Sequence, residues 1–204
     1  MNAKKMTAAE LMSQIQNNQN YQKTIKEKEE KFKEFEELLK KDELPIIQSL
    51  NKVGISVTSV WDLVNTKKSY SLAIPILIEH IKKPYHLRIK AGIARTLAVP
   101  EAKELAWDVL LSEYEKAVPD ENIDDPNKKG YKDGLALAIS FLADEKRINI
   151  ILKLVKDKKH GASRVFFIEK LYNFKTNEDV IAGINNLKKD TDLSKMIKEK
   201  FKIK

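Results

Sequence analysis

Two prolines and the apolar residues around them constrain this chain more than any other feature. In Ser71-Leu72-Ala73-Ile74-Pro75-Ile76-Leu77-Ile78-Glu79-His80-Ile81, the residues Ile74, Leu77, Ile78 and Ile81 stand at i, i+3, i+4 and i+7. That is one apolar stripe on a helix of 3.6 residues per turn. Ser71 is placed to cap it, and Pro75 falls in the first turn, where amide hydrogens have no intrahelical partner to lose. Pro84 then stops the chain before a second stripe of Leu87, Ala91, Ala94, Leu97 and Ala98. The spacing predicts two antiparallel helices. Such a hairpin cannot bury both faces alone; it needs neighbours of its own kind, as in a stack of helical repeats.

The rest of the chain supplies candidates. Leu44-Pro45-Ile46-Ile47 parallels Ile74-Pro75-Ile76-Leu77, so the repeats are read as starting at Asp42, with Gly54 as a helix stop. Ser56 then caps a helix carrying Val57, Val60, Trp61 and Val64, which makes Trp61 a core residue. Pro100 opens a helix with two apolar stripes, Ala102-Leu105-Ala106-Val109 and Trp107-Leu110-Leu111-Tyr114, as expected for a helix with neighbours on two sides. Ile148, Ile151, Leu152 and Val155 repeat the spacing of Ile74, Leu77, Ile78 and Ile81 without change. Further helices are expected over residues 130–143, 164–172, 177–189 and 192–202.

At Ile74-Pro75, Leu77-Ile78, Ile81, Pro84 and Leu87-Arg88, with Ala91, Gly92, Ala94 and Leu97 following, the chain resembles a HEAT repeat. One departure is Lys83, where such repeats often carry an acidic residue, so Arg88 lacks the usual partner. The resemblance implies an all-α fold, a right-handed α-α superhelix of the HEAT or armadillo-like solenoid kind. Setting Arg88, Lys132 and Arg164 in equivalent positions gives spacings of 44 and 32 residues. The longer one lies within the roughly 40–47 residues of HEAT repeats.

Ahead of the repeats, residues 1–41 are read as a charged helical cap and residues 42–204 as the repeat domain. A first helix is expected over residues 7–17, where Thr7 and Glu10 have capping-box spacing. A second covers residues 21–41, with Tyr21, Ile25, Phe32, Phe35 and Leu39 in four- and three-residue steps broken at Lys28. The break argues against a sustained coiled coil. A monomer is therefore expected, with a dimer through residues 21–41 as the alternative.

Composition removes several classes of function. Without cysteine there is no disulfide, thiolate nucleophile or Cys-based zinc site. No window approaches the roughly 20 apolar residues of a membrane span, and Glu10 and Ser13 interrupt any leader-like core, so a cytoplasmic protein is expected. The net charge of +8 comes almost wholly from lysine, with arginine only at 88, 95, 147 and 164. A solvated basic surface is the simpler account, because base and phosphate recognition favours the guanidinium fork.

The one long loop, residues 118–130, carries Asp120, Asn122 and Asp124 at the first three ligand positions of an EF-hand. The match fails beyond them, since Asp125 stands at the glycine position and Tyr131 at the glutamate position. His80, His86 and His160 form no metal pattern, and no phosphate-cradling glycine loop or nucleophile-base pair is legible. No cofactor or metal is expected, and nothing points to catalysis. The leading expectation is a non-catalytic scaffold that engages a protein partner through a concave groove. The resemblance would place Arg88, Arg95, Lys132 and Arg164 at or near that groove, with Tyr85 as an aromatic anchor. The alternative is nucleic-acid binding, because some HEAT-like proteins are alkylpurine DNA glycosylases; Asp133 would then be the carboxylate to test, with Trp61 and Trp107 expected to be buried.

Overall fold

The computed structural model describes residues 7, 8, 12, 18–64 and 66–202. The helix expected over residues 7–17 falls almost wholly outside them. Every regular element among the described residues is helical. The α-helices are α1 (Gln19–Lys52), α2 (Trp61–Val64), α3 (Ala73–His80), α4 (Leu87–Thr96), α5 (Lys103–Lys116), α6 (Tyr131–Leu142), α7 (Ile148–Lys156), α8 (Val165–Tyr172), α9 (Glu178–Leu187) and α10 (Ser194–Phe201). Short 3-10 turns precede α5, α7 and α8 and lie within the loop before α6.

Contacts divide the chain into two units, Met1–Asp42 and Glu43–Lys204. In the first, residues 19–42 of α1 bury no side chain, and Tyr21, Phe32 and Leu38 are exposed. The sequence suggests a new helix near Pro45, but α1 continues through that proline. Nothing from Lys40 to Leu44 stops a helix, and Ile46 and Leu50 beyond it are fully buried. Each such burial contributes about 1.5–3 kcal/mol, which offsets the roughly 3 kcal/mol that an interior proline costs. Gly54, with φ of 81°, ends α1 as expected. The Ile55 N–H donates to the Leu50 carbonyl and the Gly54 N–H to that of Asn51, a Schellman pair that a residue with a Cβ would strain.

The helix expected to begin at Ser56 is only the single turn of α2. Among the described residues Ser56 caps no helix; instead Asp62 accepts from the N–H groups of Thr58 and Ser59, and buried Glu43 accepts from the Val60 N–H at 2.6 Å. Two side-chain carboxylates thus satisfy backbone donors that a longer helix would have paired internally.

Within the second unit the helices pack in two rows. In one, α2, α4, α6, α8 and α10 lie each against the next. In the other, α3 packs on α5 and α7 on α9, while α5 with α6, α7 with α8 and α9 with α10 join the rows. Ion pairs from Lys103 to Asp144 (2.6 Å) and Arg147 to Glu104 (2.8 Å) link α5 to the turn before α7. The core follows the predicted stripes: Ile74, Leu77 and Ile81 on α3 and its end, and Ile148, Ile151, Leu152 and Val155 on α7, are all buried. On α5, Ala106 of the first expected stripe and Trp107, Leu110 and Tyr114 of the second are buried, whereas Leu105, expected inside, is exposed and the unexpected Glu113 is buried.

Candidate functional site

Five residues were expected to gather at one groove, and the structure gathers two of them. Arg88, Ala91 and Arg95 occupy i, i+3 and i+7 of α4, one face of that helix, and line a pocket of about 240 Å³ with Trp61 of α2 and Lys129 and Gly130 ahead of α6. Arg88 is exposed and Arg95 half-buried. Neither guanidinium has an ion-pair partner among the described residues.

Trp61 is half-buried rather than fully enclosed. Its position depends on Gly92. A Cβ on that residue would lie 2.7 Å from Val60 Cγ2 and 2.9 Å from the indole atoms Cε2 and Nε1. The missing side chain lets the ring lie against α4 beside the two arginines. On the neighbouring α6, burial pushes the Asp133 carboxyl above the usual carboxylate range, with Asp120 adding to the shift and Arg95 opposing it. An indole, two guanidinium groups and an ammonium can together hold an anionic group by charge and a flat or aliphatic one by contact.

The other three expected residues are internal or locally engaged. Lys132 is 2% exposed. Its Nζ donates to the carbonyls of Tyr114 (2.8 Å) and Ala117 (2.7 Å) and lies over the Tyr114 ring, so it caps the end of α5 instead of meeting a partner. Desolvation lowers its pKa. Arg164 has no exposed surface; its fork binds both Asp190 oxygens and Asp192, and it also donates to the carbonyls of Gly161 and Val155. Tyr85 shares a 2.7 Å hydrogen bond with His80 Nδ1 in the turn between α3 and α4.

The reason for the difference is local. Arg88 and Lys132 are both second residues of their helices, but Arg164 precedes α8, so the register drawn from the sequence slips there by two residues. The segments ahead of α6 and α8 also fold over those helix starts. In the 118–130 loop, Asp120 accepts from the Gly130 N–H (2.7 Å), which closes the loop, and Glu121 accepts from the Ala162 N–H (2.9 Å), which ties it to the turn before α8. Of the side chains that mimicked an EF-hand, Asp120 thus serves a backbone donor. His86 caps α4 by accepting from the Arg88 N–H, and buried His160 stacks on Tyr114. Among the described residues no group of three histidine or acidic side chains is placed to hold a metal ion, and no helix is long and apolar enough to cross a membrane.

Trp61 and Lys129 were missed as site residues. For Trp61 the available signal was Gly92, a helix-interior glycine that marks close approach by a neighbour, although the sequence alone does not name the neighbour. Comparison of the chain with protein-family models, with curated proteins and with solved structures returns no match.

Proposed function

We propose that residues 43–204 are a HEAT-like right-handed helical stack acting as a non-catalytic binding scaffold, which takes an acidic segment of a partner protein on the face formed by α2, α4 and α6. The row order of the helices and the echo between α3 and α7 support the repeat reading. The observation that carries the binding reading is the pocket itself: Arg88, Arg95 and Lys129 beside a half-exposed indole, with no ion pair to either arginine among the described residues. Cations that form no ion pair among the described residues are the groups a binding surface keeps available, and aromatic and arginine residues are those that contribute most at interfaces.

A second reading rests on Trp61. Single-stranded nucleic acid is held by aromatic faces that stack on bases next to cations that follow the phosphates, and this pocket has both. Asp133 on α6 would then be the carboxylate of a base-excision site. Titrating the protein with a glutamate decapeptide and with a short single-stranded oligonucleotide, following tryptophan emission, separates the two. The scaffold reading expects the peptide to change the emission, Trp61→Phe to remove the change, and Arg88→Glu with Arg95→Glu to abolish binding while leaving the melting temperature intact. Oligonucleotide binding whose log affinity falls with log salt by about 0.7 per phosphate contact, without peptide binding, favours the second reading. Equal peptide binding by the reversed variant refutes the first.

A further inference from the structure

A second cavity shares no lining residue with that pocket. It has a volume of about 480 Å³ and is bounded by the turn between α3 and α4, the end of α5, the start of the 118–130 loop and the first residue of α6. Its lining is of two chemical kinds. Pro84, Leu87, Val118 and Ile123 are apolar, and Val118 remains 54% exposed. Lys82, Lys83, Lys90 and Lys116 supply four ammonium groups.

A single carboxylate, that of Glu113, lines the same cavity, and it is already committed. Its Oε2 accepts from Lys90 Nζ and from the Tyr131 hydroxyl, each at 2.8 Å, and its Oε1 lies 3.4 Å from Lys116 Nζ. Burial pushes the Glu113 carboxyl up, but Lys90, Tyr131 and Lys116 outweigh burial and hold it below the usual carboxylate range, so it stays ionised. This network fixes Lys90 in place at the cavity wall. Lys83 is bridged to Glu79, a 70% exposed residue outside the cavity, and Lys82 has no ion pair among the described residues. The last carbonyls of α5, which would otherwise repel an anion near Lys116, are capped by Lys132.

We propose that this cavity binds a small organic anion with an apolar body, a carboxylate whose charged end meets Lys82, Lys90 and Lys116 and whose hydrocarbon part covers Leu87, Val118 and Ile123. Charge and shape argue together for that class. Four ammonium groups against Glu113 in the lining and Glu79 beside Lys83 leave an excess of positive charge that favours an incoming anion. The apolar lining distinguishes an amphiphilic carboxylate from inorganic phosphate, which would leave Val118 and Ile123 uncovered and for which no arginine fork or glycine-rich loop lines the cavity. The volume falls within the roughly 300–1,000 Å³ of small-molecule sites and equals about sixteen water-sized volumes, enough for an eight-carbon chain.

Octanoate is the probe, with 1-octanol as its uncharged counterpart and the full chain labelled for amide NMR. The expected result is saturable octanoate binding with shifts concentrated at Lys82, Val118 and Ile123, weaker binding of 1-octanol, and a loss of at least about tenfold in octanoate affinity for Lys82→Gln with Lys116→Gln. Both lysines are exposed, so that variant keeps its melting temperature. The site is separate from Arg88 and Arg95, and reversing those two leaves octanoate binding unchanged. The proposal is overturned by failure to saturate at about 1 mM, by shifts that lie elsewhere, by equal affinity for 1-octanol, or by a double variant that binds as the wild type does.

Discussion

Arg164 shows how far burial can redefine a charged residue. With no exposed surface, its guanidinium is held against both oxygens of Asp190, whose side chain is 3% exposed, and against Asp192 at 2.6 Å. Asp190 in turn accepts from the N–H groups of Asp192 and Leu193, so one carboxylate organises the entry to α10 and holds the arginine that precedes α8. Burial pushes the Asp190 carboxyl up, but the Arg164 fork and these amides win and hold it below its usual value. Removing one member of a buried pair leaves the other charged and unpaired, at a cost of about 3–5 kcal/mol. Arg164→Met is therefore expected to lose that amount in denaturant melts at neutral pH. The sign with pH follows. In the wild type the Asp190 contribution is present above the unfolded carboxyl value of about 3.9 and is lost only as pH falls through the lower folded value. In the variant the stranded carboxyl titrates above 3.9, and its penalty is relieved as pH falls. The gap between the two proteins should narrow from neutral pH toward about pH 4; a gap that does not change over that range would show that the lost stability is packing rather than charge.

At the scale of elements, the contact between α2 and α4 turns on one missing methyl group. Alanine at an exposed helix interior would be about 1 kcal/mol better than glycine, but at Gly92 the added Cβ falls 2.7 Å from Val60 Cγ2 and 2.9 Å from two Trp61 ring atoms. Overpacking of that kind costs about 1–3 kcal/mol and wins. Gly92→Ala should lower the melting temperature and shift tryptophan emission to longer wavelength as the Trp61 ring is pushed into water; a higher melting temperature would mean that the ring does not lie against α4. This contact also marks what could be read in the sequence. The stripes of α3, α4, α6 and α7 were legible because i, i+3, i+4 spacing is a local property. The stop at Gly54 followed from the same local rules. The burial of Lys132, Glu113 and Arg164 was not legible, because each has partners 15 to 28 residues away, such as Ala117, Tyr131 and Asp192, that only packing brings to it. Nor was the continuity of α1, where the burial of Ile46 and Leu50 overrides Pro45. The site was half legible for the same reason: Arg88 and Arg95 share a helix face, whereas Trp61 and Lys129 reach that face from other elements.

Across the whole molecule, stability should be graded. In α6, nine of twelve residues are buried, and the helix packs against α4, α5 and α8. Toward the carboxyl end the support thins, until α10 buries Ile197 alone among its residues. Residues 19–42 of α1 bury no side chain, so that segment is held by its own hydrogen bonds and i, i+4 neighbours. A chain whose elements touch mainly their sequence neighbours opens from its ends, because each end has one interface to lose and the middle has two. Amide exchange should accordingly be slowest in α6, where opening requires global unfolding, faster in α10, and fastest in residues 19–42. The pattern also tests the oligomeric state. Protection of residues 21–41 that rises with protein concentration would require a second chain along Tyr21, Phe32 and Leu38, and a monomer predicts none. Protection equal in all three regions would mean that the chain unfolds as one block, and the reading of residues 43–204 as a stack of separable repeats would fail with it.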